Sequence, residues 1–197
     1  EKGANVLDYY AEVGYRPLGK TFRTEFDEDV FTIVEPLGVV ALITPWNFPF
    51  TIPLRKLSAA LAAGNAVLYK PSMNAALCAL VIGRTLLDAG IEPGVLHVVI
   101  GKSSVIEHEL LTAPELAGVS LTGSYETACA IRRTLPVEVP FQAELGGKNT
   151  MLVWRDADIP LAVELIRQSA FRNNGQICTS AGRVLVHEDA YDALLEA

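Results

Sequence analysis

The chain has 197 residues, half of them apolar, and a formal charge of -7, which is enough apolar material for one substantial core and too much for a disordered segment. Its acidic residues form no block and its basic residues no run, which argues against a nucleic-acid groove; no apolar stretch approaches the ~18 residues of a membrane span, and none follows a basic start as in a signal peptide. Cys78, Cys129 and Cys178 are too scattered for a disulfide framework or a zinc clip, and His97, His108 and His187 stand apart, so we expect small-molecule partners, no metal, no membrane contact and a cytoplasmic location.

Residues 4–12 carry Val6, Leu7, Tyr9 and Tyr10 at helical spacing, with Gly14 as the expected C-terminal stop. From 19 to 37, apolar residues are interleaved with charge around Asp27-Glu28-Asp29, which predicts an extended hairpin too apolar on its arms to face water alone. The run at 38–44 reads as a doubly covered parallel strand, 45–49 as a rigid loop, and 52–63 as a helix stopped by Gly64. The unit then repeats as a strand at 65–69, a loop at Lys70-Pro71-Ser72 and a helix at 73–89, with Ser72 as N-cap and Gly90 as stop. A turn at 92–94 leads to a strand at 95–100, a helix at 103–111, a strand at 119–121, and a helix opening at Thr122-Gly123-Ser124 and running to about 133. No element is predicted from 140 through Glu144-Leu145-Gly146-Gly147-Lys148; a strand at 150–154 and a helix at 159–173 follow.

This alternation predicts an α/β fold: a doubly wound, mostly parallel open sheet of the Rossmann-like nucleotide-binding kind, an inserted β-hairpin, and the start of a second α/β domain. The expected bounds are 1–17 and 37–146 for the dinucleotide-binding domain, 18–36 for an oligomerisation hairpin, and 147–197 for an incomplete catalytic domain. Ligands of such sheets bind beyond the C-terminal strand ends, where Asn47, Lys70, Gly123 and Ser124 fall. At 171–182, Cys178 sits where a helical pattern stops and glycines let the backbone turn. A thiolate there attacks a carbonyl carbon well, whereas a buried cysteine is only a small hydrophobe. The chain opens on Glu1 within helical spacing and ends within an amphipathic pattern at 189–197, so it is expected to belong to a longer protein and to be inactive by itself.

Pro45-Trp46-Asn47-Phe48-Pro49, Lys70-Pro71-Ser72, Leu121-Thr122-Gly123-Ser124, Glu144-Leu145-Gly146-Gly147-Lys148 and Gly175-Gln176-Ile177-Cys178, in that order, resemble the aldehyde dehydrogenase superfamily. The resemblance implies NAD(P)-dependent oxidation of an aldehyde through a thiohemiacetal and a thioester on Cys178, with Glu144 activating the hydrolytic water and Asn47 holding the oxyanion. It further implies NAD or NADP as cofactor, with Thr44, Pro45, Trp46, Lys70, Ser72, Met73, Gly123, Ser124 and Leu145 as its contacts, and a homo-oligomer, dimer or tetramer, in the complete protein. Methionine at 73, where NAD-using members commonly carry glutamate, and alanine at 128, where glycine is frequent, are departures. Two other functions fit the same residues: a non-catalytic fragment that binds nucleotide or a partner, and acyl transfer to coenzyme A, which has no use for a hydrolytic base at Glu144.

Overall fold

The computed structural model describes residues 1–16 and 19–197, so the expected boundary between 17 and 18 lies outside the described residues. The chain divides into two compact units, Glu1–Glu144 and Leu145–Ala197.

The first unit opens with α1 (Lys2–Val13). Gly14 follows it with a right-handed φ of -58°, so the expected glycine stop works without the left-handed conformation that makes such glycines special. β1 (Thr21–Arg23) and β2 (Asp29–Phe31) form an antiparallel pair with Phe22 opposite Val30. β3 (Val39–Thr44), α2 (Thr51–Ala62) and β4 (Ala66–Pro71) come next. β4 outruns its expected bounds and takes in Lys70 and Pro71, which the sequence had placed in a loop, because they pair in register with Ile43 and Thr44. Met73–Ala75 is a single 3-10 turn before α3 (Ala76–Asp88), so the expected continuous helix is split at its start.

β5 (Leu96–Val98), α4 (Ser103–Leu111), β6 (Leu116–Thr122), α5 (Tyr125–Thr134) and β7 (Phe141–Glu144) complete the unit. β7 was not foreseen: it is short and alternates Phe-Gln-Ala-Glu, and it is paired along its whole length with β6. The five strands lie in the order β5-β4-β3-β6-β7, all parallel. Val40, Leu42, Val67 and Tyr69 pack with Leu57 of α2 and Ala79, Ile82 and Leu86 of α3. Ala41, whose side chain projects to the opposite face, is fully buried too, so the sheet centre is covered on both sides. That double cover explains why β3 and β4 read as near-continuous apolar runs.

The second unit is one βαβ crossover: β8 (Asn149–Val153), α6 (Ile159–Phe171) and β9 (Ala181–Val186), with β8 and β9 parallel, then α7 (Glu188–Glu196). β9 is a second strand that the sequence reading did not foresee. Asp158 caps α6 by accepting from the Leu161 N–H at 3.0 Å, and the Nδ1 of His187 accepts from the Asp189 N–H at the start of α7.

Candidate active site

The five parallel strands of the first unit's larger sheet all end on one edge, and the chain reverses its direction of travel across the sheet between β3 and β6. A crevice opens at such a switch point, outside the carboxyl ends of the strands. Thr44 ends β3, almost fully buried; its carbonyl accepts from the Ser72 N–H at 2.9 Å and its hydroxyl donates to the Tyr69 hydroxyl at 3.3 Å. Pro45, Trp46 and Asn47 follow directly, with the Trp46 ring exposed and Asn47 half-buried. Asn47 is not the cap of α2: that position belongs to Phe50, and no side chain caps the helix.

Lys70, near the end of β4, is only 5% exposed. Burial pushes its ammonium below the usual lysine range, with the Glu107 carboxylate pulling the other way. Ser72 accepts from the Asn74 N–H at 3.4 Å, and Met73 beside it is 50% exposed. Leu77 and Leu80 on the following helix are exposed as well, so Met73 is not part of a core.

At the end of β6, the Gly123 N–H donates to the Glu144 carbonyl at 3.0 Å, which ties β6 to the last residue of β7. Ser124 is the N-cap of α5, its hydroxyl accepting from the Thr127 N–H at 3.2 Å. The first turn also carries Glu126, whose carboxyl is held below the usual range by its own backbone N–H and by the Ser124 hydroxyl. An anion approaching this helix end therefore meets a positive dipole, but also a resident carboxylate, with the Glu126 and Thr127 N–H groups already engaged.

Glu144 is exposed at the end of β7 and linked through its side chain: Gln142 Nε2 donates to Glu144 Oε1 at 2.8 Å. Lys56 of α2 donates from Nζ to Ser120 Oγ at 2.6 Å and to Gln142 Oε1 at 3.3 Å, and the Ser120 hydroxyl donates to the same Gln142 oxygen. Burial lowers the Lys56 ammonium to about 8, partly offset by the Glu144 carboxylate. The sequence reading missed Lys56, Ser120 and Gln142. The one available signal was a lysine on the stretch of α2 that buries Pro53, Leu57 and Ser58.

Cys178 lies in the second unit, exposed, between α6 and β9. Asn173, Asn174 and Gly175 take left-handed φ values of 52°, 55° and 74°. Two of the three are not glycine, a conformation asparagine tolerates better than most residues and which still costs roughly 1 kcal/mol each. Asn149, opening β8, fastens the turn from the other side: Nδ2 donates to the Cys178 carbonyl at 2.7 Å and to the Ser180 carbonyl at 3.0 Å. The Ala181 N–H donates to Ser169 Oγ at 3.2 Å. Leu145 begins this unit, half-buried, and Ala128 is buried on α5. Among the described residues, no three of His, Cys, Asp and Glu are grouped to hold a metal, and no helix is long and apolar enough to cross a membrane.

Compared with known proteins, residues 1–197 match the aldehyde dehydrogenase family. The chain is 39% identical over 191 residues to the 2,5-dioxopentanoate dehydrogenase of Saccharolobus solfataricus, covering 95% of this chain and 40% of that protein. The crystal structure of succinate-semialdehyde dehydrogenase from Burkholderia pseudomallei superposes with a TM-score of 0.94 at 37% identity, over 98% of this chain and 41% of that one. An NADP-dependent glyceraldehyde-3-phosphate dehydrogenase from Bacillus halodurans, complexed with NADP, superposes with a TM-score of 0.93 at 32% identity, over 99% and 42%. The chain thus spans about 40% of the length of these relatives.

Proposed function

This chain belongs to the aldehyde dehydrogenase family, and from that premise we propose that the protein carrying it oxidises an aldehyde to a carboxylic acid with NAD or NADP as the hydride acceptor. The observation that supports this reading best is the placement of Asn47, Lys70, Ser124 and Glu144 at or just beyond the ends of four parallel strands on one sheet edge. We assign residues 1–17 and 37–146 to dinucleotide binding, 18–36 to subunit contact, and 147–197 to the start of the catalytic domain.

The edge fits a dinucleotide: it has a switch point, a serine-capped helix start at Ser124, a glycine before it at Gly123, and a lysine at the end of β4. In this reading Lys70 and Ser72 bind the adenosine ribose, Gly123 and Ser124 face the pyrophosphate, and Trp46 lies along the cofactor with Thr44, Pro45 and Leu145. When bound, the dinucleotide supplies the acceptor for hydride. Cys178 Sγ, as thiolate, bonds the aldehyde carbon to give a thiohemiacetal, and the Asn47 side-chain amide and the Cys178 N–H donate to its oxyanion. Donors fixed in advance stabilise that charge without reorganisation, and losing one typically costs about 10²- to 10³-fold in rate. Loss of hydride leaves a thioester on Cys178. Glu144 then takes a proton from water, the water oxygen bonds the acyl carbon, and the C–S bond breaks to release acid and thiolate.

Rapid mixing of the complete gene product with aldehyde tests this. Cys178→Ser is expected to abolish reduction of the nicotinamide. Glu144→Gln is expected to keep a burst of reduced nicotinamide and to release acid slowly. Unchanged steady-state turnover in Glu144→Gln would remove the base role, and aldehyde-dependent reduction in Cys178→Ser would remove the nucleophile.

A further inference from the structure

The register of the central sheet aligns Tyr69, Leu42, Ser120 and Gln142 in one row across β4, β3, β6 and β7. The first two positions are apolar and buried; the last two are polar, and the Lys56 ammonium donates to both. Gln142 and Glu144 stand two residues apart on β7, so their side chains leave the same face of the strand. A lysine over a serine and a glutamine does not help to cover the sheet, since burial lowers its ammonium to about 8. Its bonds do have a directional effect.

We propose that Gln142 is a positioning residue for the base Glu144, its amide held in one orientation by Lys56 and Ser120 so that Nε2 always faces the Glu144 carboxylate. This rests on the reading of Glu144 as the deacylating base. The Gln142 oxygen accepts from the Lys56 ammonium and from the Ser120 hydroxyl, which leaves Nε2 to donate to Glu144 Oε1. Flipping the amide would set its NH2 against an ammonium and its carbonyl against a carboxylate, two repulsive contacts in place of two attractive ones. Without the tether, an exposed glutamate at a strand end samples several rotamers, few of which point one oxygen at a fixed water. The amide carries no proton in this arrangement; Lys56 fixes the direction of Gln142, and its charge also acts on the Glu144 carboxylate.

The test separates acyl-enzyme decay from hydride transfer in the complete gene product, using rapid quench and intact-mass detection of acylated Cys178. Gln142→Met keeps length and loses all three hydrogen bonds of the amide. Its burst of reduced nicotinamide is expected within about twofold of wild type, with acyl-enzyme decay slowed about tenfold. Ser120→Ala, which removes one of the two donors to the amide oxygen, is expected to slow decay in the same direction by less, and it decides the question if Gln142→Met does not fold. Burst and decay falling together would show a merely structural residue, and unchanged decay in a folded variant would show no role; either overturns the proposal. Glu144→Gln runs alongside. If it too leaves decay unchanged, the base assignment itself has failed; if it alone slows decay, only the positioning by Gln142 has.

Discussion

At the scale of single residues, Met73 sets the sharpest expectation. It is half-exposed beside Lys70 and Ser72 at the end of β4, where a carboxylate would accept from ribose hydroxyls and repel a 2'-phosphate. Two anions a few ångströms apart cost on the order of several kcal/mol at an effective dielectric near 20. Methionine does neither, so NADP is expected to be used at least as well as NAD, and Met73→Glu is expected to move the kcat/KM ratio toward NAD by about tenfold, or ~1.4 kcal/mol. A ratio that stays put would show that this side chain does not face the ribose. Lys56 sets a pH expectation. Its ammonium titrates near 8 when folded and at its ordinary 10.5 when unfolded, so between those values the unfolded chain binds more protons and stability rises with pH. Below about 8 the cost of burying the ammonium is present in full. Melting curves at about pH 7.5 and pH 9.5 are expected to show the margin of Lys56→Met over wild type shrinking as pH rises; a constant margin would mean that the amine is not desolvated. Cys178 and Lys70 were singled out from sequence because their chemistry sits inside short motifs. Lys56, Ser120 and Gln142 were not, because their partners come from three elements far apart in the chain.

At the scale of elements, the alternation of strands and helices was legible from 38 to 134 because doubly covered strands are apolar throughout and glycines mark the helix ends. Gly64 and Gly90 do take left-handed φ values of 82° and 101°, as stops of that kind require. The two unforeseen strands escaped for different reasons. β7 is an edge strand whose alternation lasts only four residues, too few for a period to register. β9 begins three residues after Cys178, at Ala-Gly, which reads as part of the turn. Missing it also hid the clamp made by Asn149, whose two bonds to the Cys178 and Ser180 carbonyls exist only once β8 and β9 lie side by side. Asn149→Ala is expected to destabilise the turn by about 1–3 kcal/mol and to lower the burst and the steady-state rate together, in contrast to Gln142→Met. Iodoacetamide labelling of Cys178 measures the same loosening directly, and an unaltered labelling rate together with an unaltered burst would show that the clamp does not hold the nucleophile.

At the scale of the whole molecule, the hairpin carries apolar side chains to the surface: Phe22, Phe26, Val30, Phe31, Ile33 and Val34 are all exposed. A patch of that size on a short two-stranded sheet is not stable against water and is the kind of surface a second copy covers. Phe22 and Val30 face each other across the pair, so the double change Phe22→Asp, Val30→Asp is expected to shift the complete gene product to a smaller species by light scattering; an unchanged mass would show that this face makes no subunit contact. The strand order β5-β4-β3-β6-β7 carries a last implication, for how the chain reaches this state. Val40 pairs with Val67 across a single helical crossover, but with Gly118 only after two further strands and three helices have been laid down. Closing the longer loop costs more chain entropy, so the pairing of β3 with β6 is expected to form later than that of β3 with β4. The crevice between β3 and β6 therefore rests on the costlier of the two pairings that β3 makes.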